Sequence, residues 1–255
     1  MRTIEDAIKE HLRAVREYGI PAERLVGVFV YGSQNYKCDL PGSDVDTKAI
    51  YIPSIEEAVL KRTKPNYVKE LANGEHCEIM DIRHFVDNLK KQNINFVEVL
   101  YTKHFYLNPY LADSWLYYFI NNRERIAHYD MDKALKSISG QAIHTIKQDM
   151  NDGKKLANGR RLFYFLKHYM NGELYEDCLI PEEREREEIL RLKQLAADGK
   201  KIFGNYHAEA LIEAFEELQD CECNYPAESK ETLDTLLDTA IMTMLKEANY
   251  DAWYN

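Results

Sequence analysis

The chain has 255 residues, 45% hydrophobic and 30% charged, enough for one large domain or two small ones with a real core. Its formal net charge of −10 argues against a sequence-indifferent nucleic-acid binder, although a nucleic-acid acceptor can still meet a local basic groove. No run approaches the ~20 apolar residues of a membrane helix, and the five cysteines form no Cys-x-x-Cys pair, so free thiols without structural zinc are expected.

The first predicted element is a helix over residues 2–19, with Ile4, Ala7, Ile8, Leu12, Val15 and Tyr18 at helical spacing. It is amphipathic and charged and has no signal-peptide core, so a cytoplasmic protein with no membrane partner is expected. After a break at Gly19-Ile20-Pro21, Arg24–Tyr31 is a continuous apolar run that reads as a central strand. Gly27 within it marks close packing or the approach of another backbone.

Gly32-Ser33 then turns the chain, and a second strand opens with Asp44-Val45-Asp46 and runs to Ile52. An i, i+2 spacing on a strand puts both carboxylates on one face, about 6.5 Å apart along the chain. Such a pair can bracket one or two divalent metals, which in two-metal sites lie about 3.5–4 Å apart. A glycine at the corner lets backbone approach a ligand, and free N–H groups there favour phosphate.

Ser54-Ile55-Glu56-Glu57 has the pattern of a capping box opening a short helix over 55–61, followed by lysines and Pro65. Glu75–Met80 reads as a third strand, and a helix with Ile82, Phe85, Val86 and Leu89 follows from Asp81. From Asn108 onward the pattern is helical, near 110–122, 131–151, 154–171, 182–198, 206–219 and 228–249. Breaks fall at Gly153, Gly172, Gly199, Gly204 and Pro226, and Pro181 is read in the first turn of the 182–198 helix. Lys154, Asn158 and Arg161 share one helix face.

The string Tyr31-Gly32-Ser33-x-x-Tyr36, with Pro41-x-Ser43-Asp44-x-Asp46, resembles the nucleotidyltransferase superfamily that includes DNA polymerase beta. More narrowly it is similar to the predicted nucleotidyltransferases of bacteria and phages. The resemblance implies an α/β fold: a small mixed-sheet, palm-like catalytic domain over 1–108 and an all-α helical domain over 109–255. It implies metal-dependent transfer of a nucleoside monophosphate from a triphosphate such as ATP to an acceptor hydroxyl on RNA, a small molecule or a protein. Asp44 and Asp46 would hold two Mg²⁺ ions, or Mn²⁺ in their place, and Glu78 on the neighbouring strand would be the third carboxylate. Asp81 is the other candidate for that role, set against its more ordinary use as a helix cap.

Gly32, Ser33 and Ser43 would hold the nucleotide, with Lys155 or Arg161 meeting its phosphates. Gln92–Leu100 resembles the family's Asn-rich corner and the helix after it, where Glu98 is either a further acid near the metal or, more ordinarily, a structural hydrogen-bond partner or an exposed residue. Lys155–Leu162 lacks the histidine that the subfamily carries there. Were Glu78 outside the site, the same residues would suit a regulatory protein that holds NTP·Mg²⁺ without turnover.

Overall fold

Leu25–Tyr31 (β1) is buried along its length until Tyr31, as expected of an apolar run covered on both faces. The computed structural model describes residues 2–60, 62, 66–202, 206–221 and 230–250. Pro65, Gly204, Cys223 and Pro226, together with 228–229 of the last predicted helix, lie outside them. Beside β1 lie Asp46–Tyr51 (β2), Asn66–Glu70 (β3), His76–Asp81 (β4) and Phe105–Leu107 (β5). They form one five-stranded mixed sheet in the order β3-β4-β2-β1-β5. β1 is antiparallel to β2 and β5, and β4 is parallel to β2 and antiparallel to β3.

The three strands read from the sequence are therefore β1, β2 and β4; the two edge strands are additions. At Gly27 the β1–β2 register shifts, and a Cβ there would come within 2.5 Å of the Tyr106 carbonyl oxygen on β5. That is the close backbone approach its position suggested.

The period-two alternation assigns each strand residue to a face. One face is covered by Ile4–Glu17 (α1), which opens on a Thr3/Asp6 capping box. Val28, Ala49, Tyr51, Cys77 and Ile79 pack there with Val15, and Val30 and Val45 pack with Ala7 and Ile8. Phe29, Ile50 and Met80 point the other way, into the larger core. That core begins with Ile82–Lys90 (α3), after the short helix Ile55–Leu60 (α2), whose capping box joins Ser54 and Glu57 as expected.

Ile94–Val97 (α4) and a 3₁₀ turn over Glu98–Tyr101 lead into β5. The predicted 110–122 helix is instead Ala112–Trp115 (α5) followed by a π turn over Leu116–Ile120, and then Arg123–Ala127 (α6). Met131–Gln148 (α7), Gly153–Met170 (α8), Tyr175–Leu179 (α9), Glu183–Ala197 (α10), Tyr206–Gln219 (α11) and Lys230–Ala248 (α12) follow among the described residues. Pro181 stands outside α10, whose capping box is formed by Glu182 and Glu185.

One cluster of buried apolar side chains runs from Phe29, Ile50 and Met80 through Phe85, Trp115 and Phe119 to Leu162, Phe215 and Met244. It is continuous across position 108/109, where the sequence suggested a division. Among the described residues no helix is long and apolar enough to cross a membrane.

Candidate functional site: the Gly-Ser turn and the acid pair

The pairing of β1 with β2 puts Tyr31 directly opposite Asp46, so the Gly32-Ser33 turn leaves the sheet beside the acid pair. Gly32 turns at φ +83°, a left-handed conformation that glycine adopts at no steric cost. The turn is pinned on several sides. Asn35 N–H donates to the Gly32 carbonyl at 2.9 Å, and Cys38 N–H to the Ser33 carbonyl at 3.1 Å. The Asn35 side chain donates to the Val30 carbonyl at 3.1 Å and accepts from the Thr102 hydroxyl at 2.7 Å. Gly32 N–H donates to Glu98 Oε1 at 3.1 Å. The N–H groups of Ser33 and Gln34 bond no other described group, leaving two donors free at the corner.

The acid pair flanks Val45, whose side chain is buried on the α1 face. Asp46 begins β2, and one of its oxygens accepts from His76 N–H at 2.9 Å; its side chain is 34% exposed. Asp44 is exposed and bonds no described group. Ser43 serves the loop itself, its Oγ accepting from Leu40 N–H at 2.8 Å.

Glu78 lies on the same sheet face as Asp46, but the parallel register sets it opposite Lys48. One Glu78 oxygen is ion-paired with the Lys48 ammonium, and the other accepts from Asn66 Nδ2 at 2.6 Å. Lys48 is 2% exposed, and its Nζ sits 4.0 Å from the Tyr31 ring centroid and 4.4 Å from that of Phe96. Burial, and after it the charges of Asp46, Glu78 and Glu98, pushes the Tyr31 phenol well up. Asp81 lies three residues from Glu78, on the other face, opposite Tyr51. It caps α3, accepting from Arg83 N–H at 2.8 Å and His84 N–H at 3.1 Å, and pairs with the Arg83 guanidinium.

Among the described residues no three His, Cys, Asp or Glu side chains stand together closely enough to hold a metal ion. Asp44 and Asp46 retain free oxygens and fit Mg²⁺, which binds through one or two carboxylates and completes its shell with water and substrate phosphates. Glu78, with both oxygens engaged, is not a free ligand.

The helical half faces the turn with cations. Arg161 on α8 is buried, stacks 4.2 Å from the Tyr36 ring centroid and bonds the Asn158 side chain. Lys193 on α10 donates to the Cys38 carbonyl at 2.5 Å, and burial lowers its pKa. Tyr36 and Cys38 pack with Ala157 and Ile189, fixing the loop to α8 and α10. Lys155 is half-buried on α8, and its side chain bonds nothing in the turn.

Glu98 is fully buried. Burial raises its pKa, against the opposing charges of Arg161 and Lys48 and the Gly32 hydrogen bond. Its second oxygen and Arg161 Nη1 are both buried without a hydrogen-bond partner.

Sequence reading brought out Asp44, Asp46, Gly32, Ser33 and Arg161, which the fold gathers at one end of the sheet. It passed over Lys48, Asn66 and Lys193, and took Tyr36 only as part of the motif. Lys48 carried a readable signal: a charge running straight into the apolar stretch Ala49–Ile52 of a central strand needs a buried partner. No protein-family model matches this chain, and no curated protein matches it either.

Proposed function

We propose that the chain binds a nucleoside triphosphate with Mg²⁺ and transfers its nucleoside monophosphate to an acceptor hydroxyl, as a polymerase-beta-like nucleotidyltransferase. The observation that carries this is the Tyr31–Asp46 register, which sets the free N–H groups of Ser33 and Gln34 beside two carboxylates that keep open oxygens. Phosphate oxygens suit those N–H groups. Asp44 and Asp46 would hold Mg²⁺, which when bound neutralises phosphate charge and lowers the pKa of an acceptor hydroxyl.

In the reaction the acceptor oxygen forms a bond to the α-phosphorus, the bond from that phosphorus to the bridging α–β oxygen breaks, and pyrophosphate leaves. The acceptor's proton passes to solvent or to Asp46, whose side chain is partly exposed. Arg161 and Lys193 would supply positive potential around the turn as the leaving group gains charge.

A second reading has its own support. Lys48 occupies the Glu78 carboxylate, and a site that binds NTP·Mg²⁺ without a third free acid suits a regulatory binder.

Pyrophosphate release decides between the two. Purified protein with Mg²⁺ and each of the four α-labelled nucleoside triphosphates is offered RNA, small-molecule hydroxyls and protein acceptors. Label incorporation by the wild type that Asp46→Asn abolishes supports transfer. Tight ATP binding with no pyrophosphate from any mixture favours the regulatory binder. Equal incorporation by wild type and Asp46→Asn would overturn the role of the acid pair.

A further inference from the structure

Behind the acid pair, on the sheet face away from Lys48, three buried polar side chains, His11, Thr47 and Glu75, form a chain that the exposed Arg2 closes. His11, on the stripe of α1 that faces the sheet, is fully buried, and so is Thr47. His11 Nδ1 lies 2.6 Å from Thr47 Oγ1, and Nε2 lies 3.1 Å from Glu75 Oε2. Burial lowers the His11 pKa, keeping the ring neutral, while Glu75 is held ionised. The proton positions follow: Nε2–H donates to the carboxylate, and the Thr47 hydroxyl donates to Nδ1. The other Glu75 oxygen accepts from Arg2 Nη1 at 2.5 Å and from Val45 N–H at 3.2 Å.

The order of hydroxyl, imidazole and carboxylate is that of a nucleophilic triad. Thr47 is closed to any substrate, however, so the chain's use lies in what it holds. Glu75 grips the backbone of Val45, the residue between the two aspartates, and His11 grips the side chain of Thr47, the residue after Asp46. His76, next to Glu75, gives its N–H to Asp46 itself. Three consecutive residues of the acid-pair segment are thereby fixed from α1 and the start of β4.

We infer that Arg2, Glu75, His11 and Thr47 are positioning residues that hold Asp44 and Asp46 in place for a metal–nucleotide ligand. This rests on the reading of the acid pair given above. Arg2 and His11 lie in or next to α1, so the helix is a strut for the site as well as a cover for the sheet. Partners that orient metal-binding groups typically cost about 10- to 100-fold in metal affinity when removed.

The test uses full-length Thr47→Val, Thr47→Ser and Glu75→Gln, with Val15→Ala as a control that weakens the packing of α1 without touching the chain. Two quantities are read: hydrogen exchange of the backbone over residues 43–47, and affinity for Mn²⁺ with ATP by electron paramagnetic resonance. Thr47→Val and Glu75→Gln are expected to speed exchange there about 5- to 30-fold, the effect of one or two lost hydrogen bonds. They are expected to weaken Mn²⁺·ATP binding about 10- to 100-fold.

Thr47→Ser keeps the hydroxyl and should restore both, while Val15→Ala should change neither. Val15→Ala behaving like the other two would overturn the inference, as would wild-type exchange in Thr47→Val and Glu75→Gln. If the wild type binds no Mn²⁺·ATP, the proposed function falls, and the exchange measurement decides the positioning role by itself.

Discussion

Removing the Lys48 ammonium is the sharpest test of how the floor of the site is built. Lys48→Met keeps the length of the side chain and its contact with the Tyr31 and Phe96 rings, but leaves Glu78 without its counter-charge. Lys48 is 2% exposed and the Glu78 side chain 14% exposed, so solvent screens the pair weakly. Breaking a buried pair on one side costs ~3–5 kcal/mol. Glu78 keeps Asn66 as a donor, which places the expected loss near the lower end, about 3 kcal/mol.

Glu78→Gln leaves a buried ammonium unpaired and should cost a similar amount. Lys48→Met/Glu78→Gln removes both charges, and its stability should fall within about 1 kcal/mol of wild type, because replacing a whole buried pair is often neutral. Urea unfolding at pH 7.5, followed by circular dichroism and fluorescence, gives the four stabilities of the cycle. Those losses correspond to a coupling of about 5 kcal/mol between the two positions. Additive losses in the double variant would refute the claim that the register locks Lys48 onto Glu78.

The remaining predictions concern Glu75, Glu98 and Arg161. Burial acts to raise the Glu75 pKa, but hydrogen bonds from Arg2, His11 and Val45 outweigh it and hold the group down to about 2 from 4.5. A depressed carboxyl adds stability that is complete above its unfolded pKa and lost as pH falls toward its folded one. Glu75→Gln should therefore be less stable by roughly 3 kcal/mol at neutral pH, with the gap to wild type closing between pH 4.5 and 2. A gap independent of pH would contradict this.

Glu98 is the opposite case: its raised pKa means that the wild type loses stability as pH rises from 4.5 through the folded value. Glu98→Gln keeps an acceptor for Gly32 N–H and should gain relative to wild type as pH rises above 4.5. Glu98→Ala loses that acceptor and should be destabilised by about 1–3 kcal/mol. Equal pH profiles for wild type and Glu98→Gln would contradict the assignment. Arg161→Lys removes the planar group stacked on Tyr36 and should weaken ATP binding while leaving Mn²⁺ binding without nucleotide unchanged, as isothermal titration would read.

Much of the fold could be read because its elements are long and regular. Leu25–Tyr31 admits no reading but a covered strand, and α7, α8, α10, α11 and α12 carry apolar stripes over many turns. The edge strands could not be read in this way. β5 has three residues, too few for any alternation, and β3, Asn-Tyr-Val-Lys-Glu, is half-exposed and follows a lysine-rich stretch. The broken helix after residue 110 was missed because a π turn preserves apolar spacing closely enough to look like one helix.

At the site, the acid pair and the turn lie within one short stretch and announced themselves. The partners of those groups come from pairing between strands. Glu78 could be placed on the correct face by counting from Asp81, yet its neighbour Lys48 depends on the parallel register of β2 and β4, which local sequence does not encode. His11 is the clearest omission. It lies 36 residues from Thr47 and 64 from Glu75, and its one local signal is a titratable ring on the same stripe of α1 as Ala7 and Ile8.

The central claim is that Asp44 and Asp46 hold a divalent cation together with a triphosphate bound at the Gly32-Ser33 turn. Its most direct measurement is Mn²⁺ binding by electron paramagnetic resonance, with and without a nonhydrolysable ATP analogue, in wild type, Asp44→Asn and Asp46→Asn. The account predicts that the analogue strongly increases Mn²⁺ uptake by the wild type and that either substitution removes the increase. Uptake by both variants equal to that of the wild type would contradict it.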